Sequence, residues 1–280
     1  MKARFEGWYY KHQAKGKSMS IIPGRGADEA FIMAITDSNS YYIKYPLSEY
    51  QNKTEVIQVG NSLFSNRGIM LDINHPELVL TGEIKYTDIT PINSDIMGPF
   101  RFFPMECRHE ILSMRHSLSG EVMLNGAGLD FTGGTGYIES DSGRSFPDGY
   151  MWLQCNDFDR DISIMAAIAK IPFYGIKFWG CICNLQIENR EYRLATYKGV
   201  KILKCEPGCI ELKQGKYRLA VTVDIQNNGQ QLSAPRFGKM NHTIHETLSC
   251  PAKFHFRDGD HTLLAEESNG SSYEYEIAAN

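Results

Sequence analysis

Gly136-Tyr137-Ile138-Glu139-Ser140-Asp141-Ser142-Gly143-Arg144-Ser145-Phe146-Pro147, followed by Tyr150-Met151-Trp152-Leu153-Gln154-Cys155-Asn156, is the stretch on which the reading of this chain turns. A strand made only for a core would alternate apolar and neutral residues. This one sets two carboxylates, a guanidinium and two carboxamides among aromatics, as residues lining a cavity do. In a regular strand Tyr137, Glu139 and Asp141 share one face, and Gly136, Ile138 and Ser140 the other. Trp152, Gln154 and Asn156 likewise fall on one face of the strand that follows.

Working outward, the chain reads as β almost throughout. Phe5–His12, Ser18–Ile22, Ala30–Thr36, Tyr41–Tyr45, Ile69–Ile73 and Glu77–Tyr86 are short β-branched or aromatic runs bounded by Gly, Pro, Asn and Asp. Cys107–Met123 is a longer alternating run, and Asn125-Gly126 supplies a hairpin turn before Leu129-Asp130-Phe131. Ile162–Lys170 contains the helix-favouring Met165-Ala166-Ala167-Ile168-Ala169. Pro172 and Gly175 follow at once, so a strand running into a loop is expected there. Gly133-Gly134-Thr135-Gly136 has neither the Lys-Ser/Thr of a phosphate loop nor a following helix, and reads as a kinked or bulged start to a strand. Frequent turns between short strands predict a mostly antiparallel sandwich or barrel. Asp88–Pro104, with Pro91, Asn93, Gly98, Pro99 and Pro104, reads as a strap between two β units. The expected division is an N-terminal unit over 1–100 and a C-terminal unit over 101–280 that carries the charged stretch.

The chain has 280 residues, 42% hydrophobic and 11% aromatic, enough for one large core or two modest ones. A net charge of −4 without a Lys/Arg cluster offers little to a phosphate backbone, so no nucleic-acid partner is expected. Met1-Lys2-Ala3-Arg4 leads straight into an aromatic strand without an apolar leader core. No stretch approaches the roughly 20 apolar residues of a membrane helix. The expectation is a cytoplasmic protein without stable membrane insertion, with peripheral membrane contact left open. Oligomeric state is not legible, because exposed and covered strand edges read alike. Seven scattered cysteines fit a reducing compartment. Cys181, Cys183, Cys205 and Cys209 could in principle hold zinc, but their spacing is not that of a zinc knuckle, and small buried residues is the simpler reading. No metal is expected.

The opening stretch resembles the tocopherol cyclase-like family, whose members carry Gly-Tyr-Ile-Glu, then Gly-Arg-Ser-Phe-Pro, then an aromatic strand ending Trp-x-Gln-Cys-Asn. Similar blocks occur in the same order along the chain. They are Phe5-Glu6-Gly7-Trp8-Tyr9, Phe64-Ser65 through Gly68, Leu71-Asp72-Ile73, Gly98-Pro99-Phe100 through Met105-Glu106-Cys107 to His109, and Ala234-Pro235 through Gly238 and Met240 to Ile244 and Glu246. Ser142 stands where the family often has Trp, a change that would alter a pocket wall. The resemblance implies an all-β fold of two lipocalin-like antiparallel β-barrels or barrel-like sandwiches, related to carotenoid hydratases and some bacterial and fungal cyclases. It also implies a hydrophobic small molecule as partner and no cofactor.

Tocopherol cyclases add a phenolic oxygen across a prenyl double bond without redox change, an intramolecular lyase or isomerase reaction. Protonating such an alkene requires a general acid, a dry cavity and shelter for positive charge. Glu139 or Asp141, desolvated, is the candidate acid. Trp8, Tyr137, Tyr150 and Trp152 offer π faces. Gln154, Asn156 and His109 could orient the phenol, a neutral His109 accepting its proton. Glu6, which shares a face with Trp8, and Arg144 complete the candidate ligand-binding set. Plainer roles compete: Glu139 solvated outside, Arg144 paired with Asp141 or Glu139, Trp8 in a core, and Trp152, Gln154 and Asn156 in a polar seam. A carrier or sensor of a lipophilic molecule, or a hydratase or pericyclase, would use the same cavity.

Overall fold

A computed structural model describes residues 4–53, 55–173, 175–225 and 229–277, which leaves Met1, Lys2 and Ala3 outside the described residues. The protein is all-β and divides into two compact units. Unit 1 is Met1–Ile92, Cys107–Phe146 and Gln230–Thr243, and unit 2 is Asn93–Glu106, Pro147–Gly229 and Ile244–Asn280.

The first sheet is built from β1 (Phe5–Ala14), β2 (Lys17–Arg25), β3 (Ala30–Thr36), β4 (Ser40–Tyr45), β5 (Tyr50–Lys53), β6 (Val56–Val59), β7 (Ser62–Ser65), β8 (Gly68–His75), β9 (Leu78–Thr87), β10 (Cys107–Leu124), β11 (Ala127–Asp130) and β12 (Thr135–Gly143). Its order is β4-β3-β2-β1-β12-β10-β9-β8-β7-β6-β5, with β11 paired to β10. The second sheet follows with β13 (Tyr150–Cys155), β14 (Ile162–Phe173), β15 (Ile176–Ile187), β16 (Arg190–Ala195), β17 (Lys201–Glu206), β18 (Cys209–Gln214), β19 (Tyr217–Val223), β20 (Gln230–Arg236), β21 (Lys239–Asp258) and β22 (His261–Tyr275). Its order is β16-β15-β14-β13-β22-β21-β19-β18-β17, with β20 paired to β21.

In both sheets the two end strands are neighbours in sequence, joined by a 3-10 turn at Leu47–Glu49 or Thr196–Lys198. Each sheet therefore curls back on itself as a lipocalin-like barrel. In unit 2 the Gln214 side chain spans the gap, accepting from the Ala195 amide and donating to the Arg193 carbonyl, both at 3.0 Å. Strand periodicity fills each interior. β8 buries Ile69, Leu71 and Ile73 and turns Met70, Asp72 and Asn74 outward. Met19, Ile21, Ile32, Phe64, Leu80, Val122 and Ile138 share the core of unit 1. Leu153, Ile164, Ile168, Leu185, Val221, Phe254 and Phe256 share that of unit 2. Burying each such side chain contributes about 1.5–3 kcal/mol.

Most expected strands appear within a residue or two, including Ile162–Lys170, where a strand replaces the helix that local composition favours. Asn125 and Gly126, at φ 48° and 85°, make the expected hairpin turn. Two glycines at the entry to β12 are steric in origin, since a Cβ on Gly134 would lie 2.2 Å from the Gln13 carbonyl oxygen and one on Gly136 2.1 Å from His116 Nε2, whereas Gly133 turns at φ 80° in open space. The division into units differs from the sequence expectation. Residues 93–106 of the expected strap pack within unit 2, where Tyr197 donates to the Ile96 carbonyl at 2.9 Å, and Arg193 donates to the Ser94 hydroxyl at 2.9 Å and its carbonyl at 2.8 Å. Beyond it, however, β10 to β12 return to unit 1, because β1 needs a partner on its free edge and β12 supplies it from Phe5↔Gly143 to Gln13↔Thr135. The signature stretch is thus cut between Phe146 and Pro147. Among the described residues no helix is long and apolar enough to cross a membrane.

Candidate functional site

Strands near the middle of each sheet are buried on both faces, and buried polar side chains collect there. On β1 the even positions from Trp8 to Ala14 face the core of unit 1, while Tyr9, Lys11 and Gln13 turn away from it. The ladder carries this face onto β12 as Tyr9↔Glu139 and Lys11↔Tyr137, and onto β10 as His109↔Asp141 and Ile111↔Glu139. A bulge between Ile111 and Ser113 interrupts β10 just beyond the site.

Four of the expected residues meet here. The Tyr137 hydroxyl donates to Glu139 Oε2 at 2.5 Å, and His109 Nε2 stands 3.4 Å from the same oxygen. On the other edge of the ring, His109 Nδ1 is 3.1 Å from Asp141 Oδ1, which also accepts from the Cys107 thiol at 3.3 Å. Tyr137 is fully buried and Glu139 is 5% exposed, so these interactions are little screened by water. Burial pushes the His109 imidazole down, but the charges of Glu139 and Asp141 and the hydrogen bond to Asp141 outweigh it and raise its pKa to about 9. His109 is accordingly an imidazolium at neutral pH, whereas the sequence reading had it neutral and ready to accept a proton. Burial, with Glu139 alongside, keeps the Tyr137 phenol well above its usual range and therefore protonated.

His109, Glu139 and Asp141 are also the one group among the described residues whose ligand atoms lie close enough to hold a metal, all within 4.8 Å. The two carboxylates approach different ring nitrogens. An ion on either nitrogen would leave one carboxylate bonded to the opposite edge, so the set suits proton sharing better than chelation. Among the four cysteines weighed as zinc ligands, Cys181 and Cys183 are packed in the core of unit 2 with their thiols pushed up by burial.

The remaining expected residues go elsewhere. Trp8 packs against the core of unit 1, on the face of β1 opposite Glu139. Glu6 shares that opposite face and accepts from Arg25 Nε at 2.5 Å. Arg144 is exposed and lies over the Phe237 ring at 5.9 Å, so the guanidinium expected beside the carboxylates is replaced there by the His109 imidazolium. Tyr150, Trp152, Gln154 and Asn156 are all buried in unit 2. Tyr150 donates to Glu274 Oε2 at 2.5 Å, Trp152 stands across the ladder from Glu274, and Gln154 from Ser272. Sequence reasoning missed Tyr9 and the fully buried Lys11 in unit 1, and Glu246 and Glu274, which face each other in unit 2. A lysine inside the aromatic run Trp8-Tyr9-Tyr10-Lys11 was the available signal for the first pair.

A family model described as tocopherol cyclase-like matches residues 82–276. Among solved structures, kievitone hydratase from Nectria haematococca aligns over 99% of this chain and 89% of its own, with 13% identity and a TM-score of 0.56. CghA aligns over the same shares, with 7% identity and a TM-score of 0.61. An AttH protein from Nitrosomonas europaea covers 100% of this chain and 94% of its own, with 10% identity and a TM-score of 0.58. No curated protein matches the sequence.

Proposed function

The chain belongs to the tocopherol cyclase-like family, and from that premise we propose that it is a cyclase- or hydratase-type enzyme whose reaction is proton-initiated ring closure of a prenylated phenol, a quinol or a polyene. The observation that carries this reading is the buried line of contacts from Tyr137 through Glu139 and His109 to Asp141. One proton resides on the His109–Glu139 pair, on the imidazole while water has access. An apolar substrate that expels water favours the neutral pair, so the proton passes from Nε2 to Glu139 Oε2. Tyr137 positions Glu139 by its hydrogen bond, and Asp141 holds the ring.

In the reaction the Glu139 carboxyl gives its proton to the less substituted alkene carbon. A C–H bond forms, the π bond opens and a tertiary cation results. The buried rings of Tyr9 and Tyr137 on the same face provide electron-rich surface for that cation. The phenolic oxygen attacks, a C–O bond closes the ring, and the phenolic proton passes to the Glu139 carboxylate. Product and substrate are isomers, and the proton is returned.

The test is incubation of the full chain with a prenylated hydroquinone, followed by mass spectrometry. A cyclic product of unchanged mass, formed by the native protein and lost in Glu139→Gln, supports cyclisation. Gain of one water would assign hydration instead. Recovery of bound, unchanged hydroquinone would make the protein a carrier.

A further inference from the structure

In unit 2 some of the largest exposed apolar side chains gather around one turn. The 3-10 turn Gly98–Phe102 is held by the Phe100 amide on the Met97 carbonyl at 3.1 Å and by the Phe103 amide on the Phe100 carbonyl at 3.0 Å. Gly98, at φ 53°, seats the turn directly on Tyr197, whose ring would stand 2.6 Å from a Cβ there. Phe100 is thereby half-buried, its ring 6.2 Å from Phe178 and 6.4 Å from both Tyr197 and Phe103. With Phe100 turned in as the anchor, the next rings turn out: Phe102 is 76% exposed and Phe103 41%. β15, which brings Phe178 to this turn, carries Ile176 at 66% exposure and Trp179 at 42% with it.

Apolar side chains displayed together on an ordered turn mark a contact surface, and the charges among them say what it contacts. The segments that build it, residues 98–106, 170–179 and 196–198, bear four exposed cations, Arg101, Lys170, Lys177 and Lys198, in a protein whose net charge is −4. Against them stand two exposed carboxylates, Glu106 and Asp148, the latter bonded to Lys177 Nζ at 2.7 Å. Arg101 lies over the Phe102 ring at 4.6 Å, and Lys170 stands across the ladder from Trp179. Interfaces between proteins deplete lysine, whereas aromatic rings edged by Lys and Arg are the composition of a surface that enters lipid headgroups. We propose that this aromatic edge of unit 2 docks the protein on an anionic lipid surface, Phe102 and Ile176 entering the acyl boundary, Trp179 lying at headgroup level and the cations meeting lipid phosphates. Docking of this kind rests on no part of the proton-transfer reading.

The experiment mixes the full chain with vesicles of equal parts phosphatidylglycerol and phosphatidylcholine and follows co-sedimentation. The native protein is expected to sediment with them and to be released as salt is raised. Phe102→Ser should weaken binding about tenfold, the loss of one large apolar side chain from the acyl boundary. Arg101→Glu, which reverses a charge, should weaken it about thirtyfold. Both side chains are exposed, so both variants should keep the native thermal midpoint. Met123→Ser, at a 43% exposed position in unit 1, should bind as the native protein does. Of the three tryptophans Trp152 is buried and Trp8 partly so, which leaves Trp179 as the exposed one. Tryptophan emission should therefore shift to the blue on binding, and the shift should vanish in Trp179→Phe. No sedimentation of the native protein, sedimentation undiminished in Phe102→Ser and Arg101→Glu, an equal loss in Met123→Ser, or an unshifted emission would overturn the proposal. So would a midpoint lowered by several degrees in Phe102→Ser, which would make the ring structural. A native dimer that Phe102→Ser turns into a monomer would give the surface to a second copy of the chain and overturn it as well.

Discussion

Raising the pH should weaken the folded protein through one side chain. His109 titrates at about 9 in the folded protein, against about 6.5 for an unperturbed imidazole. At about 1.4 kcal/mol for each pH unit, the folded state's tighter hold on this proton is worth about 3 kcal/mol. Because the folded value is the raised one, the contribution is complete below about pH 6.5, declines as the pH climbs, and is gone above about pH 9. His109→Gln removes the titrating group without a large change in volume. Urea denaturation of the native protein and this variant, from about pH 6 to about pH 9.5, isolates the effect. The stability difference between the two should shrink by about 3 kcal/mol across that range, while nuclear magnetic resonance of the imidazole reports a midpoint near 9. A difference that stays constant with pH, or an imidazole titrating at or below 6.5, would refute the charged assignment of His109 and the proton sharing built on it.

Other substitutions probe neighbouring parts of the account. Tyr137→Phe removes the donor to the buried Glu139 and should cost about 1.5–3 kcal/mol of stability, read by thermal or urea unfolding. Trp8→Leu, on the core face of β1, should lower stability and leave turnover per folded molecule within about threefold of native. Gly136→Ala pushes a Cβ into the His116 ring, and an overpacking loss of about 1–3 kcal/mol is expected in urea unfolding. Burial in unit 1 lowers His12 and His116 to about 3 each, so the unfolded chain takes up their protons first. Stability is then full above about pH 6.5 and falls towards pH 3, each histidine costing about 2 kcal/mol by pH 5. A flat acid limb in urea titrations would contradict this.

Much of the fold was legible because strand alternation is a local property. β3 matches the expected Ala30–Thr36, and the hydroxyl and carboxylates of Tyr137, Glu139 and Asp141 share a face as their spacing requires. The unit boundary was not legible. Nothing local in Cys107–Leu124 records that β12 must return to pair with β1, since that partner lies over 120 positions away in the chain. The same long-range pairing decides which aromatic of Trp8-Tyr9 joins the site. Only the register of β1 against β12 places Tyr9 with Glu139 and sends Trp8 to the core. Arg144 misled because proximity in sequence suggested a partner for the carboxylates, whereas His109 arrives from another strand with the same charge. Glu274 was not legible, because its burial beside Trp152 depends on a pairing of distant strands that sequence spacing does not show.

The central claim is that a proton from the His109–Glu139 pair enters a carbon of the substrate. Its most direct test is reaction of the native protein with a prenylated hydroquinone in deuterium oxide, with the product analysed by mass spectrometry and carbon-13 spectra. The account predicts a cyclic isomer carrying one deuterium at the former alkene carbon, absent in Glu139→Gln. A cyclic product without carbon-bound deuterium, or turnover undiminished in Glu139→Gln, would contradict it.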